Sequence, residues 1–353
     1  MKKYIITGGA AGSLFNASAK APKDIETILL CNGYTALPIH YLERKRGVRW
    51  FLIPIIPIVN CFKVKRCSEI VFQYAPITCH KIYLLIIRAL FHLLRFKKVH
   101  KYAIIHDLAS MRERWSSQSK EISFLNEFDG IAVHSEAMKD KLQDMGYRGV
   151  ISILGLFDYI VDFDNKIERN LSGCINFSGN LQKSHFISHI SEIAGKTLSF
   201  DLYGKDGTDS TNNYIHYNGP FKSNDLSSLK GSWGLVWDGD SINGLEGEYG
   251  IYLKYNSPHK ASMYICAELP LIVSCDSAIS SIVRSESLGL TVHSLKDIEE
   301  ILENMDNENY NEIVSNVKRY SARLKSGANI LDCLKRLKPT SATTNVLNGT
   351  KNH

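Results

Sequence analysis

The stretch from Gly231 to Asp276, GSWGLVWDGDSINGLEGEYGIYLKYNSPHKASMYICAELPLIVSCD, decides the fold. Its apolar run Trp233 to Trp237, bounded by Gly231 and by Asp238-Gly239, reads as a buried strand running into a turn. A loop with two carboxylates, Glu246 and Glu248, and then Lys254 comes next. A helix start follows, with Asn256 or Ser257 as N-cap and Pro258 at the first helical position. Pro270 and a second buried strand, Leu271 to Val273, close the unit. Strand, loop, helix and strand in that order imply a parallel sheet with a right-handed crossover.

The helix start is oddly charged. A helix N-terminus carries roughly half a positive charge and favours acidic residues, yet His259 and Lys260 occupy its first turn, with Lys254 just upstream. An anion would offset them, and backbone N–H groups with two lysines make a seat for a diphosphate. The plain alternative is that Lys254 and Lys260 are solvated surface residues.

At 353 residues the chain is long enough for two domains. A hydrophobic content of 44% and a charged content of 22% are those of a globular protein. The net charge of +6 suits phosphate ligands or an anionic membrane surface, and no basic run interleaved with aromatics suggests nucleic acid. Cys31, Cys61, Cys67, Cys79, Cys174, Cys266, Cys275 and Cys333 show neither a CxxC pair nor a zinc spacing, which fits reduced thiols in a cytoplasmic protein. The N-terminus has too short an apolar run for a signal peptide, and no segment reaches the roughly 20 apolar residues of a membrane span.

Tyr4 to Thr7 reads as a first strand, followed by a turn with Gly8, Gly9 and Gly12. Gly12 and Ser13 are candidates to touch a ligand across a cleft, or else form only a tight turn, and Lys20 could reach the same cleft. The helix His80 to Phe96 aligns Lys81, Arg88, His92 and Arg95 on one face. With Lys97 and Lys98, that face could lie on anionic headgroups or be a solvated edge.

Tyr102 to Ile105 ends in His106-Asp107, where a doubly wound sheet would place a general base, or where Asp107 caps the next helix. Ile131 to Val133 ends likewise in His134-Ser135. The irregular, polar text from Leu154 to Ser172 reads as a linker. Beyond it, Ile175 to Ser178 leads through Gly179-Asn180-Leu181-Gln182-Lys183 into a helix to Ile193, a second phosphate-binding turn with Lys183 in reach of a pyrophosphate. Tyr203, ending the next strand, is placed to stack on a base or to cover it. A single helix from about Tyr310 to Leu337 is expected to cross back over both halves, before a polar, disordered tail.

LVWDGD followed by GEYGIYLKYNSPHKASMYICAELPLIV resembles the bacterial β-1,6-galactofuranosyltransferases of cell-surface polysaccharide synthesis. That family also holds the UDP-glucose-dependent glucosyltransferases of streptococcal adhesin glycosylation. The resemblance runs from about Ile5 to Leu334, with the PHK block as its most specific part. It implies an α/β GT-B fold: two Rossmann-like doubly wound domains facing a cleft, residues 1–165 binding acceptor and 166–338 binding the UDP-sugar, with 339–353 a disordered tail. It further implies a UDP-hexose donor, a lipid-linked or protein-linked glycan acceptor and no metal or other cofactor. Location at the inner face of the cell membrane and a homo-oligomer are compatible with it.

In this reading Gly179, Asn180, Lys183, Tyr203, Asp238, Lys254, Asn256, His259 and Lys260 bind the donor. Asp238-Gly239-Asp240 is a DxD, the pattern of metal-dependent single-domain transferases, but it lies in the second half, so Asp238 is read as a turn residue near donor hydroxyls. Without a metal, cations and helix dipoles must stabilise the leaving diphosphate. A β product implies inversion, with Asp107, then His106, then Glu248 as the base. Galactofuranose leads glucose as the donor sugar. A non-hydrolysing epimerase on the same fold and a UDP-binding partner without turnover are the other classes.

Overall fold

A computed structural model describes residues 1–7, 17–39, 55–74, 81–112, 117–163, 167–205, 207 and 210–338. Gly12, Ser13, the domain boundary at 165 and the tail 339–353 lie outside them.

Two parallel sheets carry the fold. The first contains β1 (Lys3–Thr7), β2 (Tyr34–Pro38), β3 (Glu69–Tyr74), β4 (His100–Ile105), β5 (Gly130–Val133) and β6 (Val150–Ile153), in the order β2-β1-β3-β4-β5-β6. The second contains β7 (Cys174–Ser178), β8 (Ser199–Tyr203), β9 (Ile215–Tyr217), β10 (Trp233–Val236), β11 (Leu271–Ser274) and β12 (Gly289–Val292), in the order β12-β11-β10-β7-β8-β9. Strands β3, β5, β10 and β11 are buried at every position, as strands covered by helices on both faces must be. The strand order reverses between β1 and β3 and again between β7 and β10. Ligands of doubly wound sheets bind beyond the strand ends at such reversals.

The first lobe carries α1 (Ala17–Cys31), α2 (Ile55–Lys63), α3 (Lys81–Leu94), α4 (Ala109–Arg112), α5 (Gln118–Leu125) and α6 (Glu136–Asp144). The second carries α7 (Gly247–Tyr252), α8 (His259–Cys266), α9 (Ser280–Ser285), α10 (Asp297–Glu303), α11 (Asn307–Lys325) and α12 (Ala328–Arg336). Three elements depart from the sequence reading. The acidic loop after β10 winds into α7, with Glu246 at its N-cap. The segment after the Gly179 turn is a 3-10 helix, His185–Glu192, and not an α-helix. The last helix is two, because Gly327 adopts a left-handed φ of 76° that ends α11 and starts α12.

The break has a use. It turns α12 onto the first lobe, where Ile330, Cys333, Leu334 and Leu337 join Ile5, Ile25 and Ile28 in one core. The described part of the irregular chain between the lobes is anchored at Asp158 and Ile160. Asp158 is buried and accepts from Asn329 N (3.1 Å) and Ile330 N (2.7 Å), capping α12. Lys20 does not reach a cleft, because its Nζ is buried on the Asp24 carboxylate at 2.6 Å, with Ile160 O as a further acceptor at 2.5 Å. The described cysteines carry free thiols.

Candidate active site

The site is built where β7 and β10 diverge. Helix α8 lies close on β10 because residue 234 is glycine: a Cβ there would sit 2.4 Å from the Tyr264 ring. Tyr264 returns its hydroxyl to the end of β7, accepting from Ser178 N at 2.6 Å. This fixes the first turn of α8 over the strand ends. Lys260 extends from that turn and donates to Trp237 O at 3.1 Å, with its ammonium 4.4 Å from the centre of the Phe177 ring. A Cβ on Gly179 would lie 3.6 Å from Lys260 Nζ, so the Gly179 turn and the lysine meet. Burial lowers the Lys260 pKa while the Asp238 charge opposes that shift. An arriving anion would relieve this desolvation.

Around the same helix start, Asn256 Oδ1, Ser257 Oγ, His259 Nε2 and Ser262 Oγ are buried without a protein partner. Buried polar atoms normally find partners, so such a concentration marks a place built for polar contacts from outside the chain. His259 differs from its expected role. Its ring packs on Tyr159 (4.9 Å) and Phe157 (6.1 Å), and burial lowers its pKa to about 3. It is therefore neutral, and Lys260 supplies the charge of this turn. Pro258 precedes the first helical residue and occupies the N-cap position.

The other donor candidates divide. Asn180 Oδ1 accepts from Gln182 N (3.1 Å) and Lys183 N (3.2 Å), so it shapes the turn that exposes Gly179. Lys183 lies 5.2 Å over the Tyr249 ring of α7, and Lys254 pairs with Asp276 at 3.3 Å. The three lysines thus take three different partners, and among them Lys260 is the one set at the strand reversal. Tyr203 is not placed to stack on a base: it is buried, packs edge-on to Phe221 at 5.4 Å and donates to Ser228 O at 2.7 Å. In the DxD, Asp238 Oδ1 accepts from Ser184 Oγ (2.9 Å) and Gly239 N (3.1 Å), whereas Asp240 meets His185 Nδ1 at 2.9 Å. Among the described residues no group of three or more His, Cys, Asp or Glu side chains could hold a metal ion.

The first lobe closes on this segment. His134 Nε2 donates to Ile105 O (2.9 Å), which leaves Nδ1 to accept from Ser257 N (3.0 Å). Ser135 Oγ donates to Tyr255 O at 2.7 Å, and Leu108 N donates to the Tyr252 hydroxyl at 3.0 Å. Three hydrogen bonds therefore clamp residues 252–257 to the ends of β4 and β5. His106 lies on the same edge, stacked on Phe157 at 5.3 Å. Gln73 donates to Pro22 O, so its Oε1 accepts from His106 Nε2 at 2.9 Å and leaves His106 Nδ1 with a lone pair. Burial, His134 and His259 lower the His106 pKa to about 3.

Asp107 is the chain neighbour of Leu108, and Glu248 lies one helical turn before Tyr252, so the Leu108–Tyr252 bond joins the two segments that carry these candidate bases. Glu121 caps α4. Its carboxylate accepts from Ala109 N (3.0 Å), Ser110 N (3.3 Å) and the Tyr74 hydroxyl (2.8 Å). Sequence reasoning missed Tyr252, Gln73 and Phe157 as parts of this site, and no spacing in the chain signals them.

Residues 3–156 match the family model described as Glucosyltransferase 3-like, N-terminal domain, and residues 175–337 match its C-terminal domain. The chain belongs to the glucosyltransferase 3-like family. Within it, β-1,6-galactofuranosyltransferase WbbI of Escherichia coli (strain K12) is 30% identical over 257 residues, covering 71% of this chain and 74% of that protein. Glucosyltransferase 3 of Streptococcus gordonii is 26% identical over 228 residues, covering 63% of this chain and 66% of that one. In fold, the glycosyltransferase WaaG, involved in lipopolysaccharide biosynthesis, superposes with a TM-score of 0.54 at 9% identity, over 96% of this chain and all (100%) of WaaG. The family member described here is a glycosyltransferase with a GT-B fold.

Proposed function

We propose that this chain transfers a hexosyl unit from a UDP-sugar to a glycan acceptor of cell-surface polysaccharide, such as O-antigen or capsule, with galactofuranose as donor sugar ahead of glucose. The carrying observation is Lys260, a half-buried ammonium beside the Gly179 turn at the start of α8. Negative charge grows on the leaving diphosphate as the glycosidic bond breaks, and a fixed cation at a helix N-terminus stabilises it without reorganisation. The chemistry in this reading uses no metal and inverts the anomeric carbon. Asp107 takes the acceptor proton. His106, with a pKa of about 3, is a poor base at neutral pH, and Glu248 comes from the facing helix α7.

The galactofuranosyl preference draws on the 30% identity to WbbI. A second reading, UDP-glucose as donor and a protein-linked glycan as acceptor, draws on the 26% identity to glucosyltransferase 3. The test is a donor screen with purified protein, comparing UDP-galactofuranose, UDP-glucose and UDP-galactose in EDTA. Turnover of UDP-galactofuranose in EDTA is expected. Preference for UDP-glucose would select the second reading, and strict dependence on manganese would overturn the metal-free chemistry.

A further inference from the structure

Helices α2 and α3 lie side by side on the first sheet. Their inner residues, Ile56 on α2 and Ile86, Ile87, Leu90 and Leu94 on α3, are in the core. A surface helix is ordinarily polar on its other side. Here the outer side is apolar as well: Ile58 and Phe62 on α2, Leu85 and Leu93 on α3, and Phe96 just beyond it are exposed, Phe62 by 83% and Phe96 by 71%. The two helix ends are stapled together, since Lys97 Nζ donates to Cys61 O (2.7 Å) and Val64 O (2.8 Å) and Cys67 N donates to Lys97 O (2.9 Å). The phenyl rings therefore project from a fixed platform and not from a fraying end.

Among the described residues, the exposed charges at these two helix ends are basic. Lys63, Lys65, Arg66, Arg95 and Lys98 are exposed at these helix ends, with the Arg95 guanidinium 4.5 Å over the Phe96 ring. Neither Ile55 to Ser68 nor Lys81 to Lys101 contains an Asp or Glu. We infer that this α2–α3 face docks on an anionic phospholipid surface, with Phe62 and Phe96 entering the headgroup boundary and the basic residues on lipid phosphates. A second copy of the chain fits poorly, because a two-fold contact would press these cations against each other, and Glu127, the carboxylate beside α3, is already paired with Arg88 at 2.6 Å. Phe62 and Phe96, the most exposed of these side chains, stand out of the surface, which suits a fluid acyl boundary better than a shaped protein partner. The docking is peripheral, since no helix among the described residues is long and apolar enough to cross a membrane.

The inference is independent of the donor site, so it is tested without any sugar nucleotide. The full chain is co-sedimented with vesicles of phosphatidylcholine alone and of phosphatidylcholine with phosphatidylglycerol. Binding to the anionic vesicles only is expected. Each cation near such a surface is worth about fivefold in affinity, so Lys65→Glu with Arg66→Glu and Arg95→Glu should lose on the order of a hundredfold or more. Phe62→Ser with Phe96→Ser should also release the protein, with an unchanged thermal midpoint showing that the fold survives. Tryptophan in Phe96→Trp should shift its emission to the blue on adding anionic vesicles. Absence of binding, or binding indifferent to both sets of substitutions, would overturn the inference. So would a dimer in solution that Phe62→Ser with Phe96→Ser converts to monomer.

Discussion

Lys260 is costly where it stands: burial lowers its pKa, and its ammonium holds one carbonyl and one ring face. A group left short of partners gains most from an anion, so Lys260→Ala is expected to weaken UDP binding by roughly tenfold or more, about 1.4 kcal/mol, in calorimetric titration. Unchanged affinity would remove the lysine from the site. Asp107→Asn separates binding from chemistry, because it deletes the proposed base and leaves the lysine in place. Turnover should fall by about a hundredfold or more while UDP affinity stays the same. Lys260 was legible in the chain because a lysine in a helical first turn breaks a charge rule that requires no coordinates. His259, its neighbour, was misread by the same rule. Charge counting assumes solvent, and the packing of Tyr159 and Phe157 that makes this histidine neutral comes from a segment about 100 residues away. Tyr203 was misread for a related reason: a strand end shows that an aromatic is near the cleft edge, not which face of the sheet receives it.

Helix α8 is held by its contact with β10, and the glycine at 234 is what permits that distance. Gly234→Ala puts a methyl 2.4 Å from the Tyr264 ring and 2.7 Å from its Cβ, against a fully buried side chain whose hydroxyl is held by Ser178 N. Overpacking of this kind costs typically about 1–3 kcal/mol. The expected outcome is a lower unfolding midpoint together with weaker UDP binding, because α8 carries Lys260 as it shifts. Weaker binding with a normal midpoint would place the effect elsewhere. The strand–helix–strand unit that seats α8 was readable from two apolar runs and a proline-marked helix start. Helix α7 was not, since six residues with two glycines carry little local helical preference and gain their order from α4 across the interface. The break at Gly327 was likewise invisible, because a glycine inside a periodic pattern can be tolerated, and only the docking of α12 on the first lobe requires a left-handed residue there.

Across the two lobes, the structure stores a pH dependence. His106, His134 and His259 surround Phe157, and burial lowers their pKa values to about 3, 4 and 3. A histidine whose folded pKa lies below its unfolded value of about 6.5 is protonated more readily in the unfolded chain. Its stabilisation is complete above about pH 6.5 and is lost as pH falls towards the folded value, at up to about 1.4 kcal/mol per pH unit for each ring. Asp158 works in the opposite sense. Burial raises its pKa to about 6, so its carboxyl favours the folded state at low pH and loses that contribution as pH rises from about 4 towards 6. Burial raises the Asp24 pKa as well, so three histidines stand against two carboxyls, and the fold should weaken on acidification. His134→Phe isolates one ring of the three. Removing both of its hydrogen bonds leaves Ser257 N and Ile105 O unpaired, which should cost about 1–3 kcal/mol at neutral pH. The variant should then lose stability more slowly than the parent between about pH 6.5 and pH 4, by the slope of one proton. Urea unfolding across that range reads both effects, and a variant with the parent's slope would show that His134 does not titrate as a buried clamp between the lobes.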